Sequence, residues 1–203
     1  MKTLLHVIGS PRGANSQSAK VAAAYLGALT ERRVDTLDLW REPLPEFDGD
    51  KSAAKMTVIT GGALGGATQT AWDEIQGIAA RFTAADEYLF TVPMWNGGIP
   101  YRLKLYIDLI TQPGILFGFD PATGYAGLLK GKKATVIYTS GVYAPGVAPA
   151  FGSDFHATYF DDWLRFIGIT EVSRVRFQPT LLTTDPAAGL ATAIAEAKTL
   201  AVA

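Results

Sequence analysis

The chain has 203 residues, 48% of them hydrophobic, which suits one compact domain over residues 1–203 and argues against disorder. Lys and Arg number 18 against 19 Asp and Glu, so a net charge of −1 excludes an overall basic field that would attract nucleic acid or anionic lipid. Cysteine is absent, which excludes disulfides, cysteine nucleophiles and thiolate metal sites, and favours a cytoplasmic protein whose partners are small molecules or a second copy of itself.

Apolar runs of strand length alternate with segments of helical periodicity, the order typical of a parallel sheet covered on both faces. Strands are predicted over residues 3–8, 34–39, 87–92, 134–139 and 172–177. Helices are predicted between and after them from apolar spacing at Val21, Tyr25 and Leu29, at Trp72, Ile75, Ala79 and Phe82, at Leu103, Tyr106, Ile107 and Ile110, over residues 154–167, and at Leu190, Ile194, Ala197 and Ala201. The sequence therefore predicts an α/β fold with a doubly wound five-stranded parallel sheet and helices on both faces.

The loop from Gly9 to Ser18 follows the first predicted strand and opens the first helix. In a doubly wound sheet the ligand binds outside the carboxyl ends of the strands, so this loop is a candidate site. Asn15 or Ser16 is expected to cap the helix, where backbone N–H groups and the hydroxyls of Ser16 and Ser18 favour an anion. The loop predicts either a phosphate site or an ordinary serine-rich cap. It matches neither G-x-x-x-x-G-K-[ST] nor G-x-G-x-x-G, which argues against an NTPase and a Rossmann dinucleotide site.

Two further loops follow the third and fourth predicted strands. In residues 93–100, Gly97 and Gly98 allow close approach of the backbone to a flat ligand, Asn96 offers an amide, and Trp95 offers an aromatic surface. These groups suit the edge of an isoalloxazine ring, and a glycine-rich connector around a buried Trp is the alternative interpretation. Residues 139–143 can close the pyrimidine side of the same pocket.

Several motifs along nearly the whole chain match one known family. They are Ser10 with Ser16-Gln17-Ser18, Pro93-Met94-Trp95-Asn96, residues 103–108, residues 114–133 ending in Lys130-Gly131-Lys132-Lys133, and Phe166-Ile167-Gly168-Ile169. Together they resemble the FMN-dependent NADH azoreductases of the flavodoxin-like superfamily. The resemblance implies a flavodoxin-like sheet and FMN contacts from Ser10, Ser16, Gln17, Ser18, Pro93, Met94, Trp95, Asn96, Gly97, Ser140, Gly141, Val142 and Tyr143.

The serine residues would bind the FMN phosphate, residues 93–97 would line the isoalloxazine, and residues 140–143 would close its other edge. One departure concerns this last loop. Family members commonly carry an Arg or a small residue and then Gly-Gly after Thr-Ser, whereas Gly141-Val142-Tyr143 stands here. Side chains thus occupy positions where the family has bare backbone.

The resemblance implies an enzyme that transfers hydride from NADH or NADPH through FMN to quinones and azo compounds by a ping-pong mechanism. FMN carries the redox chemistry, so no catalytic side chain is expected. A flavodoxin-type electron carrier and an NAD(P)H-dependent FMN reductase are the alternatives, although the carrier is usually shorter and strongly acidic. A receiver-type signalling domain is disfavoured because Gly9-Ser10 and Pro93 stand where it needs acidic residues.

Excess apolar surface predicts a homodimer. In the helix predicted over residues 154–167, Phe160, Trp163, Leu164 and Ile167 form one stripe, and a second stripe beside it holds Phe155, Tyr159 and Phe166. An aromatic segment, residues 115–119, lies before a turn-like run, and the resemblance implies that it reaches across to the partner's flavin pocket. Phe119 and Phe166 are therefore predicted substrate-pocket residues, with a thick single-domain core as the alternative.

Other polar residues suggest no separate chemistry. His6 and His156 have no neighbouring ligands at metal-binding spacing, so no metal is expected. Asp161 and Asp162 are adjacent on a predicted helix and point apart, which indicates a solvated face rather than an acid–base pair.

Overall fold

The computed structural model describes residues 1–202. Its strands are β1 (Lys2–Ile8), β2 (Arg32–Asp38), β3 (Glu87–Pro93), β4 (Phe117–Asp120), β5 (Gly124–Gly127), β6 (Lys133–Thr139) and β7 (Glu171–Phe177). Its α-helices are α1 (Gln17–Ala28), α2 (Gly49–Ile59), α3 (Ala67–Thr83), α4 (Tyr101–Ile110), α5 (Ala157–Phe166) and α6 (Pro186–Ala201). Five strands form one parallel sheet in the order β2-β1-β3-β6-β7, which confirms the predicted doubly wound, flavodoxin-like α/β fold.

Both faces of the sheet are buried, because successive residues of a strand point to opposite sides. Leu5 and Phe90 belong to a large cluster with α3, α4 and α5, while Leu4 and Leu89 belong to a second cluster with α1 and α6. A strand buried on two faces consists of apolar residues almost without interruption, as β3 does. This is why the central strands could be located in the sequence.

Two elements lie outside the predicted set. Helix α2 buries only Lys51 and Ala54 and packs through Ala54 against α3, so it has no long apolar stripe for the sequence to show. The aromatic segment expected between α4 and β6 forms an antiparallel hairpin of β4 and β5, which is separate from the main sheet.

The hairpin packs on the end of α5 through two glycines. A Cβ built on Gly127 would lie 2.2 Å from the backbone nitrogen of Gly168, so only glycine permits this approach. Helix α5 itself is shorter than the predicted 154–167, because Asp154 Oδ1 accepts from the backbone N–H groups of His156 and Ala157 and thereby fixes the start of the helix.

The strand order reverses between β1 and β3, so the connections from these strands leave in opposite directions and open a crevice at the carboxyl edge of the sheet. The loops after β1, β3 and β6 meet there. None of the helices within residues 1–202 has both the length and the apolar character needed to cross a membrane.

Candidate functional site

A cavity of about 210 Å³ lies at this carboxyl edge, where the strand order reverses. Loops after four strands contribute its lining residues, which are Ser10, Arg12, Ser16, Gln17, Pro93, Met94, Trp95, Thr139, Ser140, Gly141, Thr180 and Leu181. The cavity is thus built from the positions that a doubly wound sheet reserves for a ligand.

Gly9 brings the loop after β1 against the end of β3. Its N–H donates to Thr91 O at 3.0 Å, and a Cβ at this position would come within 2.6 Å of the same oxygen. Trp40, which follows β2, donates from Nε1 to Gly9 O at 3.0 Å. The loop is therefore held from both sides before it turns toward the cavity.

The N-terminus of α1 presents hydrogen-bond donors to the cavity. Ser16 caps the helix, and its Oγ accepts from Ala19 N at 3.3 Å and lies 3.0 Å from Ser18 Oγ. If the Ser18 hydroxyl donates to Ser16, the hydrogen of Ser16 is free to point at a ligand. The positive end of the helix dipole adds to this, so an anion is favoured here.

Two more side chains mark the same end of the cavity. Arg12 is the only charged side chain among the described residues that line the cavity. Gln17 Oε1 is buried and has no hydrogen-bond partner within the described residues. A buried oxygen without a partner is costly, so a ligand that donates a hydrogen bond would be stabilised at this point.

The loop over residues 93–98 forms the next wall, and a tight turn shapes it. Trp95 N donates to Gly98 O at 2.8 Å and Gly98 N donates back to Trp95 O at 2.9 Å, while Asn96 and Gly97 have φ values of +50° and +82°. Positive φ at both central residues is the signature of a type I′ turn, which Asn-Gly strongly favours. Met94 N is bound to Thr139 O at 2.7 Å, so the start of the loop remains tied to β6.

The opposite wall joins the loops after β6 and β7. Thr180 N donates to Ser140 O, and both Leu181 N and Leu182 N donate to Gly141 O, at 2.8, 2.8 and 3.1 Å. The Ser140 hydroxyl donates to Tyr143 O and closes its own turn. Because Gly141 has no side chain, its backbone lines the cavity at this wall.

This architecture and sequence match those of known proteins. A family model described as a flavodoxin-like fold matches residues 2–201. A protein of Ruegeria pomeroyi named FMN-dependent NADH:quinone oxidoreductase is 54% identical over 96% of this chain and 98% of its own length, and one of Desulfotalea psychrophila with the same name is 44% identical over 99% and 97%. The chain belongs to the FMN-dependent NADH:quinone oxidoreductase family.

A solved structure agrees with this membership and confirms the resemblance to azoreductases. An FMN-dependent NADH-azoreductase of Bacillus anthracis, crystallised in complex with FMN, superposes with a TM-score of 0.84 at 25% identity and covers 100% of this chain and 98% of that one.

In this member of the family the cavity brings together eight of the residues predicted from sequence: Ser10, Ser16, Gln17, Pro93, Met94, Trp95, Ser140 and Gly141. Ser18 is buried behind Ser16 and contacts the cavity only through it. Asn96 lines a neighbouring hollow of about 760 Å³ that shares Trp95 with the cavity. Gly97, Val142 and Tyr143 lie outside both linings, so any role of theirs in binding stays a prediction.

Two lining residues of this oxidoreductase, Thr180 and Leu181, lie outside every predicted loop, and Arg12 and Thr139 were predicted only as members of their loops. Arg12 lies inside the predicted phosphate loop and Thr139 ends the fourth predicted strand. Thr180 and Leu181 follow β7. The rule that ligands bind beyond the carboxyl ends of strands covers β7 too, so this signal was present in the sequence.

Phe119 and Phe166, the predicted substrate-pocket residues, line a third hollow of about 680 Å³ between α2 and the β4–β5 hairpin. It shares no lining residue with the cavity, so within one chain these two aromatic residues lie apart from the predicted flavin contacts. Of the predicted second stripe, Phe155 lies before α5 and is exposed, whereas Tyr159 and Phe166 pack partly against the core.

The two histidines of this family member are buried. Burial lowers the pKa of His6 to about 4, against a smaller opposing effect of Asp38, and lowers that of His156 to about 4, opposed by the hydrogen bond to Val92 O. Within residues 1–202 no group of three or more His, Asp or Glu side chains is placed to hold a metal ion.

Asp161 is partly buried and accepts hydrogen bonds from Tyr138 and Arg174, so this carboxylate is not simply solvated as the sequence suggested. Asp162 is exposed.

Proposed function

We propose that this chain is an FMN-dependent oxidoreductase that takes hydride from NADH and reduces quinones and azo compounds. The observation that carries the proposal is the cavity where the strand order reverses, which is lined by the N-terminus of α1 and by the loops of residues 93–98 and 140–141. The names of the relatives at 54% and 44% identity state an FMN-dependent NADH:quinone oxidoreductase activity for those proteins, and that of the Bacillus anthracis structure states an FMN-dependent NADH-azoreductase.

The residues present fit FMN. Its phosphate would be held by Ser10, Ser16 and the first-turn N–H groups of α1, with Arg12 as the nearby cation, and charge-assisted hydrogen bonds of this kind are strong. Gln17 Oε1, which has no partner in the described residues, supplies an acceptor for a hydroxyl or N–H group of the ligand. Pro93, Met94 and Trp95 offer an apolar wall to a flat ring.

FMN, when bound, supplies the two-electron chemistry of the reaction. The 93–98 loop and the Ser140–Gly141 backbone would hold the ring. No acid–base side chain is needed at the cavity, and its polar lining consists of hydroxyls, one amide and one guanidinium. The same mouth would receive the nicotinamide and then the acceptor in turn, which is the basis of the proposed ping-pong order.

The phosphate assignment is tested with Ser16→Gly. Glycine is nearly as good an N-cap as serine, so the helix should lose only a few tenths of a kcal/mol while the hydroxyl is removed. Hydrogen bonds to charged groups contribute about 1.5–3 kcal/mol, and we expect the FMN dissociation constant, measured by quenching of flavin fluorescence, to rise at least about tenfold. Binding of riboflavin, which has no phosphate, should be unchanged.

A matched control is Asp185→Gly, which removes the N-cap of α6, where Asp185 Oδ1 accepts from Ala188 N at 2.9 Å. This variant should bind FMN as the wild type does. Unchanged FMN affinity in folded Ser16→Gly protein would refute the phosphate site.

The proposed active form is a homodimer in which the hairpin of one subunit helps to cover the flavin site of the other. Phe119 and Tyr125 on the hairpin are 61% and 65% exposed, and Ile59 of α2 is 49% exposed beside them. Exposed apolar patches of this extent mark interfaces. The hollow that Phe119 and Phe166 line is separate from the cavity in one chain, which fits a contribution across a twofold axis.

Phe119→Ser should shift the protein toward monomer in sedimentation velocity at micromolar concentration, and it should reduce turnover of the acceptor more than it weakens FMN binding. Val34→Ser is the control, because Val34 is also exposed, at 41%, but lies on the edge strand β2. A wild-type protein that is monomeric and fully active would contradict the shared site.

A further inference from the structure

The segment of residues 153–156, directly before α5, packs against the 93–98 loop. Phe155 N donates to Gly97 O at 3.0 Å, and a Cβ on Gly97 would contact Ser153 O at 3.6 Å. Asp154 Oδ1 in turn accepts from the N–H groups of His156 and Ala157, at 3.0 and 2.7 Å, so the segment is fixed to the helix behind it.

His156 makes the second attachment. Its side chain is fully buried and its Nε2 lies 2.7 Å from Val92 O, one residue before the loop begins. A carbonyl oxygen only accepts, so Nε2 carries the proton and donates it. Nδ1 has no partner within the described residues, so a proton there would be buried without an acceptor, and Nδ1 is unprotonated. A neutral ring agrees with the lowered pKa of His156.

The ring is also oriented from its other side. The ring of Tyr138 packs edge to face against the imidazole, with 4.9 Å between the ring centroids. The Tyr138 hydroxyl donates to Asp161 Oδ1 at 2.7 Å. Asp161 lies on α5, so the same helix that follows His156 also holds the tyrosine that packs on it. Packing and hydrogen bonding therefore leave the imidazole one orientation.

We propose that His156 is a positioning residue, whose Nε2–H fixes Val92 O and, together with Phe155 N at Gly97 O, sets the position of Pro93, Met94 and Trp95 toward the ring system of the flavin. The proposal rests on the proposed function, because it assumes that these three residues face FMN. His156 is not a cavity-lining residue, so it acts through the loop.

Two variants separate the hydrogen bond from the packing. His156→Phe keeps an aromatic ring against Tyr138 but removes the donor, and His156→Gln retains an N–H donor on a side chain of similar reach. We expect His156→Phe to raise the dissociation constants of FMN and riboflavin by the same factor, about tenfold, because the loop faces the ring that both molecules share. His156→Gln should restore both to within about threefold.

Thr111→Val is the matched control. It breaks the hydrogen bond that Trp163 Nε1 of α5 donates to Thr111 Oγ1 at 3.0 Å, away from the 93–98 loop, and it should leave both dissociation constants unchanged. If His156→Phe does not fold, His156→Asn, whose amide is too short to reach Val92 O, is expected to show the same equal loss.

The inference is overturned if His156→Phe or His156→Asn binds both flavins as the wild type does, or if either variant loses affinity for FMN alone. It is also overturned if His156→Gln does not restore the affinity for both flavins. Wild-type protein that binds neither flavin overturns the proposed function and this inference with it. If the wild-type protein binds both flavins and Ser16→Gly weakens the binding of FMN alone, the proposed function stands even where the inference about His156 fails. The failure of the inference can therefore be told apart from the failure of the proposed function.

Discussion

The free energy of unfolding of the flavin-free protein should fall by about 5 kcal/mol between pH 7 and pH 4.5, with about half from each buried histidine. Burial lowers the pKa values of His6 and His156 to about 4 in the folded protein, while in the unfolded chain both histidines keep the ordinary pKa of about 6.5. As the pH falls through 6.5, the unfolded state therefore binds protons that the folded state does not. The stabilisation is complete above this value and is lost progressively toward pH 4.

Urea unfolding at a series of pH values measures this loss. His156→Gln is the informative variant, because it removes one titrating group and should halve the slope of stability against pH between 6.5 and 4.5. Stability that changes by less than about 1 kcal/mol over that range would mean that the two histidines are not buried in neutral form.

Gly127→Ala is expected to destabilise the protein by about 3 kcal/mol, the upper part of the range for overpacking. The added Cβ would overlap the backbone of Ile167 and Gly168, at 2.3 and 2.2 Å, and neither chain segment can move alone because Leu129 N is bound to Ile167 O at 2.9 Å. The hairpin that carries Phe119 should shift as a consequence, so self-association should weaken as well.

Gly77→Ala is the matched control for this substitution. Gly77 lies inside α3, and a Cβ there would meet nothing within 4 Å. Alanine is the better helix former by about 1 kcal/mol, so this variant should be slightly more stable than the wild type. Equal stability of Gly127→Ala and wild type would contradict the close packing of hairpin and helix.

Much of the sheet could be predicted because its inner strands are buried on both faces. The bounds of the inner strands β1, β3 and β6 and of the edge strand β7 differ from prediction by one residue each, whereas the other edge strand, β2, begins two residues and ends one residue earlier than expected. Its first residue, Arg32, is held by an ion pair with Glu87 at 2.9 Å. Because the partner of Arg32 is distant in sequence, no local pattern of apolar and polar residues predicts that Arg32 belongs to the strand.

Helix α2 and the hairpin were missed for related reasons. Asp48 caps α2 and accepts from Lys51 N at 3.0 Å, but the helix is fixed by ion pairs of Lys51 with Asp48 and Glu74 rather than by an apolar stripe. The hairpin strands have four residues each, too short to show alternation, and their docking depends on Gly127 and Gly168, far apart in sequence.

The family resemblance singled out Ser10, Met94 and Ser140 at the site. From the residues alone, the strand-end rule located the loops that carry them and the hydroxyl of Ser16. It could not tell which side chains of a loop face inward. The 93–98 loop shows this limit: an Asn-Gly pair there builds a type I′ turn, which takes Asn96 out of the cavity and leaves Trp95 in it.

The central claim is most directly tested by mixing the FMN-loaded protein with NADH under anaerobic conditions, without any acceptor. One equivalent of NADH should bleach the visible absorption of the flavin, and a quinone added afterwards should restore it, because each half-reaction of a ping-pong enzyme proceeds without the other substrate. Protein that binds no FMN, or flavin that stays oxidised until NADH and quinone are present together, would contradict the account.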